Sequence, residues 1–194
     1  MNLKKMVFRL LSITIVFSMM CAISAFAETS RISVSPKTVE DLKTVSPEEV
    51  PEGIVPMEFD SDESAVAYLN HIYSNMTLIT GEDIPATYAT NGNATVAEQR
   101  LGVLGGKVIL KLRYTTSGNG NTGTITMLDP YTTTSGITYS FDWREDSIGA
   151  EIASSGKDVY AYSDGVIIAY LLVDGLIKLD ETPVSLNGFV ALIR

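Results

Sequence analysis

DVYAYSDGVIIAYLLVDGLIKLDET, Asp158 to Thr182, is the stretch on which the fold turns. Tyr160 and Tyr162 alternate with Val159 and Ala161, the period of two that gives a strand two unlike faces. Val166 to Val173 is apolar throughout, which predicts a central strand covered on both sides. Asp164-Gly165 and Asp174-Gly175 each separate strand-like runs, and Asp-Gly in that setting signals a tight hairpin. Three antiparallel strands are expected here.

Upstream, GITYSFDWRED (Gly136–Asp146) puts Tyr139, Phe141 and Trp143 on one side and Ser140, Asp142 and Arg144 on the other. The aromatics are either a platform for a ligand such as a sugar ring or the inside of a sheet. Turning them outward would bury a carboxylate and a guanidinium, at heavy cost. Turning them inward contributes roughly 1.5–3 kcal/mol per large apolar side chain buried. They are therefore expected in the core, with Trp143 part-exposed near the strand end and its N–H wet. Tyr160 and Tyr162 are the better candidates for an exposed aromatic pair.

GKVILKLRYTT sets Val108, Leu110, Leu112 and Tyr114 against Lys107, Lys111 and Arg113, with Ile109 the exception, as in a half-buried antiparallel strand. The glycine- and asparagine-rich SGNGNTG follows as a loop. TITML begins another strand, which Asp129-Pro130 is expected to stop. NGFVALI closes the sheet, and a short strand is expected near AEIAS. Short strands with regular punctuation imply an all-β fold, an antiparallel β-sandwich, with a closed β-barrel as the alternative.

One helix is expected. In FDSDESAVAYLNHIYSNM, Asp60 is placed to cap it, with Glu63 reaching back three residues later. Val66, Leu69, Ile72 or Tyr73, and Met76 form its apolar stripe, which should pack on the sheets. Before it, residues 28–58 carry Pro36, Pro47, Pro51 and Pro56 and many acids. Proline at that density fixes φ and removes donors, so a flexible, extended acidic lead-in without its own core is expected, ordering either on the domain of residues 59–194, through RISVSP or GIVPMEF, or on a partner.

The chain opens with Lys4, Lys5 and Arg9, an apolar stretch from Leu10 to about Ala22, and Ala25-Phe26-Ala27. That layout is a secretory signal (residues 1–27) cleaved after Ala27. The apolar run is short and broken by Ser12, Thr14 and Ser18, which argues against a retained span. Cys21, the single cysteine, follows Met20 and not the small residue that lipid attachment needs, and it leaves with the signal. The remaining 167 residues hold 11 Lys+Arg against 23 Asp+Glu, a net of −12. Such a surface repels nucleic acid and anionic membrane alike.

Candidates for chemistry are weak. His71 is the only histidine, so no imidazole cluster for zinc can form, and it lies one position off the helix stripe. Ser154–Lys157 (SSGK) has the residue types of a Ser–Lys pair but reads as a hairpin loop, and no G-x-S-x-G or phosphate loop occurs. Asp142, Glu145, Asp146 and Glu151 could supply paired carboxylates for glycoside cleavage if their separation allowed it. Asp60 and Asp62 occupy EF-hand positions one and three, but Ala65 and His71 stand where glycine and glutamate are required. Asn75-Met76-Thr77 and Asn93-Ala94-Thr95 match the glycosylation triplet and carry no weight behind a signal of bacterial type. No catalytic residue, metal ligand or cofactor is assigned.

The signal, the acidic lead-in, a helix such as DESAVAYLNHIYS and a tail such as DGVIIAYLLVDGLIKLDETPVSLNGF together resemble small exported β-rich proteins of Gram-positive bacteria. The resemblance implies export and a β-rich fold, and carries over no functional residue. The leading expectation is a secreted, non-catalytic binding protein acting at the cell envelope or in the medium, on an envelope glycan or protein. A secreted carboxylate-dependent hydrolase and a secreted effector or bacteriocin-like protein are the competing classes.

Overall fold

The computed structural model describes residues 34–80, 91–102, 105–118, 123–136 and 140–192. The expected signal, residues 1–27, lies outside them, as does Tyr139. The elements run β1 (Lys43–Val45), β2 (Met57–Phe59), α1 (Asp62–Ser74), β3 (Met76–Thr80), β4 (Asn91–Leu101), β5 (Gly106–Ser117), β6 (Thr124–Ser135), β7 (Phe141–Ile152), β8 (Asp158–Val173) and β9 (Leu176–Ala191). Two sheets form. One has the order β3-β4-β5-β6; the other has the order β1-β9-β8-β2, with β7 also pairing β8. Neither closes on itself, so the fold is a sandwich and not a barrel. All pairings are antiparallel except β2 on β8.

The main core lies between the sheets. Val108, Leu110, Leu112 and Tyr114 of β5 are fully buried, as their alternation predicts. They meet Val159, Ala161, Ile167, Ala169 and Leu171 from the inner face of β8. Helix α1 adds Ala65, Leu69, Ile72 and Tyr73 to the same core. Its cap falls one residue later than expected: Ser61 and Ser64 exchange side chain-to-backbone hydrogen bonds at 3.2 and 3.3 Å. Asp62 instead pairs with Lys178 of β9 at 2.5 Å, tying the helix start to the large sheet. Strand β4 has a weak sequence signal of its own, because Asn91-Gly92-Asn93 and Glu98-Gln99-Arg100 dilute its apolar pattern, yet Val96, Ala97 and Leu101 are buried.

Several expected breaks are absent. Asp164-Gly165 is no hairpin: β8 runs straight through it, paired on both sides. The true turn is at Asp174 (φ 51°) and Gly175 (φ 76°), both left-handed as a type I′ turn requires. Gly165 serves a different need. A Cβ there would meet the Arg144 carbonyl and lie 2.5 and 2.6 Å from Cη2 and Cζ2 of Trp143, whose ring crosses the strand at that point. Asp129-Pro130 does not stop β6, and Pro183 does not interrupt β9. Strand β6 is an edge, and β9 is paired by β1 only at Ile177–Leu179, so each proline lies on a stretch with one side unpaired, the setting in which a strand accommodates a missing donor. The runs expected as separate strands around AEIAS and NGFVALI are the far halves of β7 and β9. Gly165→Ala is expected to cost about 1–3 kcal/mol through overpacking. A lower urea midpoint, with red-shifted emission from the sole tryptophan, would show it.

Residues 34–59 form two short 3-10 turns and two three-residue strands laid on the large sheet. The turns are capped by Thr38 with Asp41 and by Ser46 with Glu49, whose carboxylates accept the Thr38 and Ser46 backbone N–H groups at 2.7 Å. Val34 and Leu42 pack on the main core. Val50 and Ile54, with Leu179, cover Val166, Ile168 and Tyr170 on the outer face of β8. That is why VIIAYLLV has no polar side: the sandwich covers one face and the lead-in covers the other.

The lead-in is also fastened by charge. Glu181 of β9 accepts from Lys43 at 2.8 Å and from Arg144 at 3.0 Å. These two hydrogen bonds hold its carboxyl below the ordinary value of 4.5. A depressed carboxyl stabilises the fold above its unfolded pKa, and the contribution is lost as pH falls through the folded value. Acidification below about pH 4.5 is therefore expected to loosen β1 and raise dye binding to the uncovered Ile168–Tyr170 surface. Glu181→Gln should remove part of that pH dependence; an unchanged acid limb would contradict the assignment.

Candidate functional site

The outer face of the large sheet is divided in two. Along β8 it presents Tyr160, Tyr162, Asp164, Val166, Ile168 and Tyr170 in sequence. The lead-in covers the last three. Its strands meet β9 at Ile177–Leu179 and β8 at Leu171–Val173, and neither reaches the Tyr160 end. At the division, Asp164 accepts from Ser147 of β7 at 3.1 Å and from Ser185 of β9 at 2.6 Å, so one carboxylate ties three strands.

Beyond Asp164 stands an aromatic cluster. Tyr160 lies opposite Phe189 of β9, with ring centroids 5.0 Å apart at 46°. Tyr162, two residues along the same face, lies 6.2 Å from Tyr160 with the rings within 30° of parallel. Glycine at position 149 of β7, directly opposite Tyr162, is what lets that ring lie down on the sheet. A Cβ there would meet its Oη at 2.6 Å and its Cζ at 2.7 Å. Phe189 is 56 % exposed, the tyrosines half-buried. Glu151 flanks Tyr160 and Asn187 flanks Tyr162 in register, so polar groups border the rings.

The other residues considered from sequence fall elsewhere. Phe141 is 3 % exposed, and Trp143 packs against the main core with Nε1 donating to Thr132 at 3.2 Å; both face inward as expected, though that N–H is bonded to protein. The four acids do not converge. Asp142 accepts from the Trp143 backbone, Glu145 from Thr132, and Asp146 pairs with Arg144. Asp142 and Glu151 stand roughly 30 Å apart along β7 at ~3.3 Å per residue. Ser154–Lys157 is the β7–β8 turn, where Ser155 bonds Asp158 at 2.8 Å. His71 is exposed on α1. Among the described residues no group of three His, Cys, Asp or Glu side chains is placed to hold a metal ion.

A second polar cluster is buried. Asp180 of β9 is 1 % exposed, and its Oδ2 accepts from Tyr73 at 2.7 Å and Thr182 at 3.1 Å. Its Oδ1 faces Lys37 Nζ at 2.7 Å as an ion pair without an aligned hydrogen bond. Lys37 Nζ also donates to the Glu181 carbonyl at 2.8 Å, while Asn70 brackets the Lys37 backbone with bonds of 2.7 and 3.0 Å. Burial first, and Asp180 second, push the Tyr73 phenol far above its usual value, so it stays a donor. Every charge here is spent internally; the cluster locks the lead-in to α1 and β9. Nothing in the sequence pointed to it, because Lys37 and Asp180 are joined only by the fold.

Comparison with protein-family models, with curated proteins and with solved structures finds no match for this chain. Function rests on the site alone.

Proposed function

We propose that this is an exported, non-catalytic binding protein that acts at the cell envelope or in the medium. Its recognition surface is the uncovered half of the large sheet's outer face. The observation that carries the reading is the contrast along one strand: Val166, Ile168 and Tyr170 are covered by Val50 and Ile54 of the lead-in, whereas among the described residues the lead-in puts no such cover on Tyr160, Tyr162 and Phe189. Phe189 is left largely in water, which forfeits the stabilisation that burial would bring, and it stands beside two further rings with a polar border. Export is supported by the signal-like start of the chain, with its basic beginning, apolar stretch and Ala25-Phe26-Ala27.

Co-sedimentation with isolated cell walls and envelope polysaccharides tests this. The protein should bind a fraction of the envelope, and the Tyr160→Ala/Phe189→Ala variant should lose about tenfold or more in affinity. Equal binding by the variant would refute the assignment of the surface.

A further inference from the structure

Resting on that reading, the geometry points to a ligand class: an uncharged glycan, stacked by its sugar faces on Tyr160, Tyr162 and Phe189. Size is the first argument. With one ring 56 % exposed and two mostly buried, the aromatic surface on offer is on the order of 100–300 Å², taking ~150–250 Å² per aromatic side chain. A stable protein partner needs roughly 800 Å² on each side. The three rings alone supply a fraction of that area, which is the scale of one or two sugar rings.

Shape is the second argument. Tyr162 lies down over Gly149, so its ring presents a face and not an edge, and Tyr160 is only 30° from parallel to it. The negative π-face of an aromatic ring attracts the weakly positive C–H groups that cover one side of a pyranose. Asn187 beside Tyr162 supplies an amide donor and acceptor, and Glu151 beside Tyr160 supplies acceptors, for the hydroxyls around the sugar's edge.

Charge is the third. Glu151 borders the rings and Asp164 closes the inner end of the patch, on a chain of net charge −9. A phosphate- or carboxylate-bearing polymer would be repelled. An uncharged sugar chain meets no such barrier.

The test compares a neutral β-glucan, chitin oligosaccharides and a polyuronate as ligands, by titration calorimetry on wild type, Phe189→Ala and Asn187→Ala. Thermal midpoints serve as the control for folding. The neutral glycan should bind, about tenfold more weakly to Phe189→Ala at an unchanged midpoint, and with little change at about 0.5 M salt. Preference for the polyuronate, or affinity that collapses with salt, would overturn the ligand class. So would absence of neutral-glycan binding while Tyr160→Ala/Phe189→Ala still abolishes cell-wall binding, an outcome that leaves the surface intact and points to a protein. Cell-wall binding indifferent to that double variant would overturn both.

Discussion

Asp180→Ala is expected to destabilise the protein by about 3–5 kcal/mol, the cost of breaking a buried ion pair by removing one partner. The carboxylate is 1 % exposed and has three side-chain partners, Lys37 from the lead-in, Tyr73 from α1 and Thr182 from its own strand. Removing it leaves the Lys37 ammonium without its counter-ion, held only by the Glu181 carbonyl, and the Tyr73 hydroxyl without its carboxylate acceptor in a low-dielectric setting. At ~2–4 °C per kcal/mol for a domain of this size, the thermal midpoint should fall by about 10 °C. Lys37→Met combined with Asp180→Leu should recover most of the loss, since an apolar pair of similar volume has no charge to desolvate. A cost below about 1 kcal/mol for Asp180→Ala would show that Lys37 escapes to water, and the lock would be discarded.

Shortening the chain to begin at Pro56 should have an effect at least as large. It uncovers Val166, Ile168 and Tyr170, removes β1 and leaves Asp180 without Lys37. At roughly 1.5–3 kcal/mol per large apolar side chain, the lost cover alone approaches the whole stability of a typical domain. The shortened chain should bind hydrophobic dyes and lose its cooperative melt. A sharp melt at the wild-type temperature would mean that the lead-in is an accessory and not part of the fold.

What could be seen in the sequence was local. Alternation in Gly106–Ser117 identified β5 and its buried face, because each side chain there experiences one environment along its whole length. Apolar continuity at Val166–Val173 announced double cover, although what supplied the second cover, Val50 and Ile54, became visible only in three dimensions. Glycine and proline misled where their roles were tertiary. Gly165 makes room for a tryptophan ring and Pro130 sits on an edge strand, so Asp164-Gly165 and Asp129-Pro130, which look like turns, lie inside long strands. The capping pairs Thr38–Asp41 and Ser46–Glu49 were legible and would have shown that the proline-rich lead-in takes defined turns.

The site followed the same division. Sequence placed Tyr160 and Tyr162 on one face as the candidates for an exposed pair; they do share that face, but both rings are partly buried and the exposed ring is Phe189. Phe189 is 29 positions from Tyr160 in the chain and joins them only through the β8–β9 register. Gly149 likewise acquires its meaning from the ring of Tyr162 above it.

Hydroxyl-radical footprinting of the intact protein, read residue by residue by mass spectrometry, tests the divided outer face most directly. Phe189 should label rapidly and Tyr160 faster than Tyr170, which lies ten positions along the same strand face but beneath the lead-in and should label slowly. Tyr170 labelling as fast as Phe189 would mean that the lead-in does not lie where its hydrogen bonds and apolar contacts put it. Protection of Phe189 and Tyr160 in the isolated protein would mean that the proposed recognition surface is already occupied.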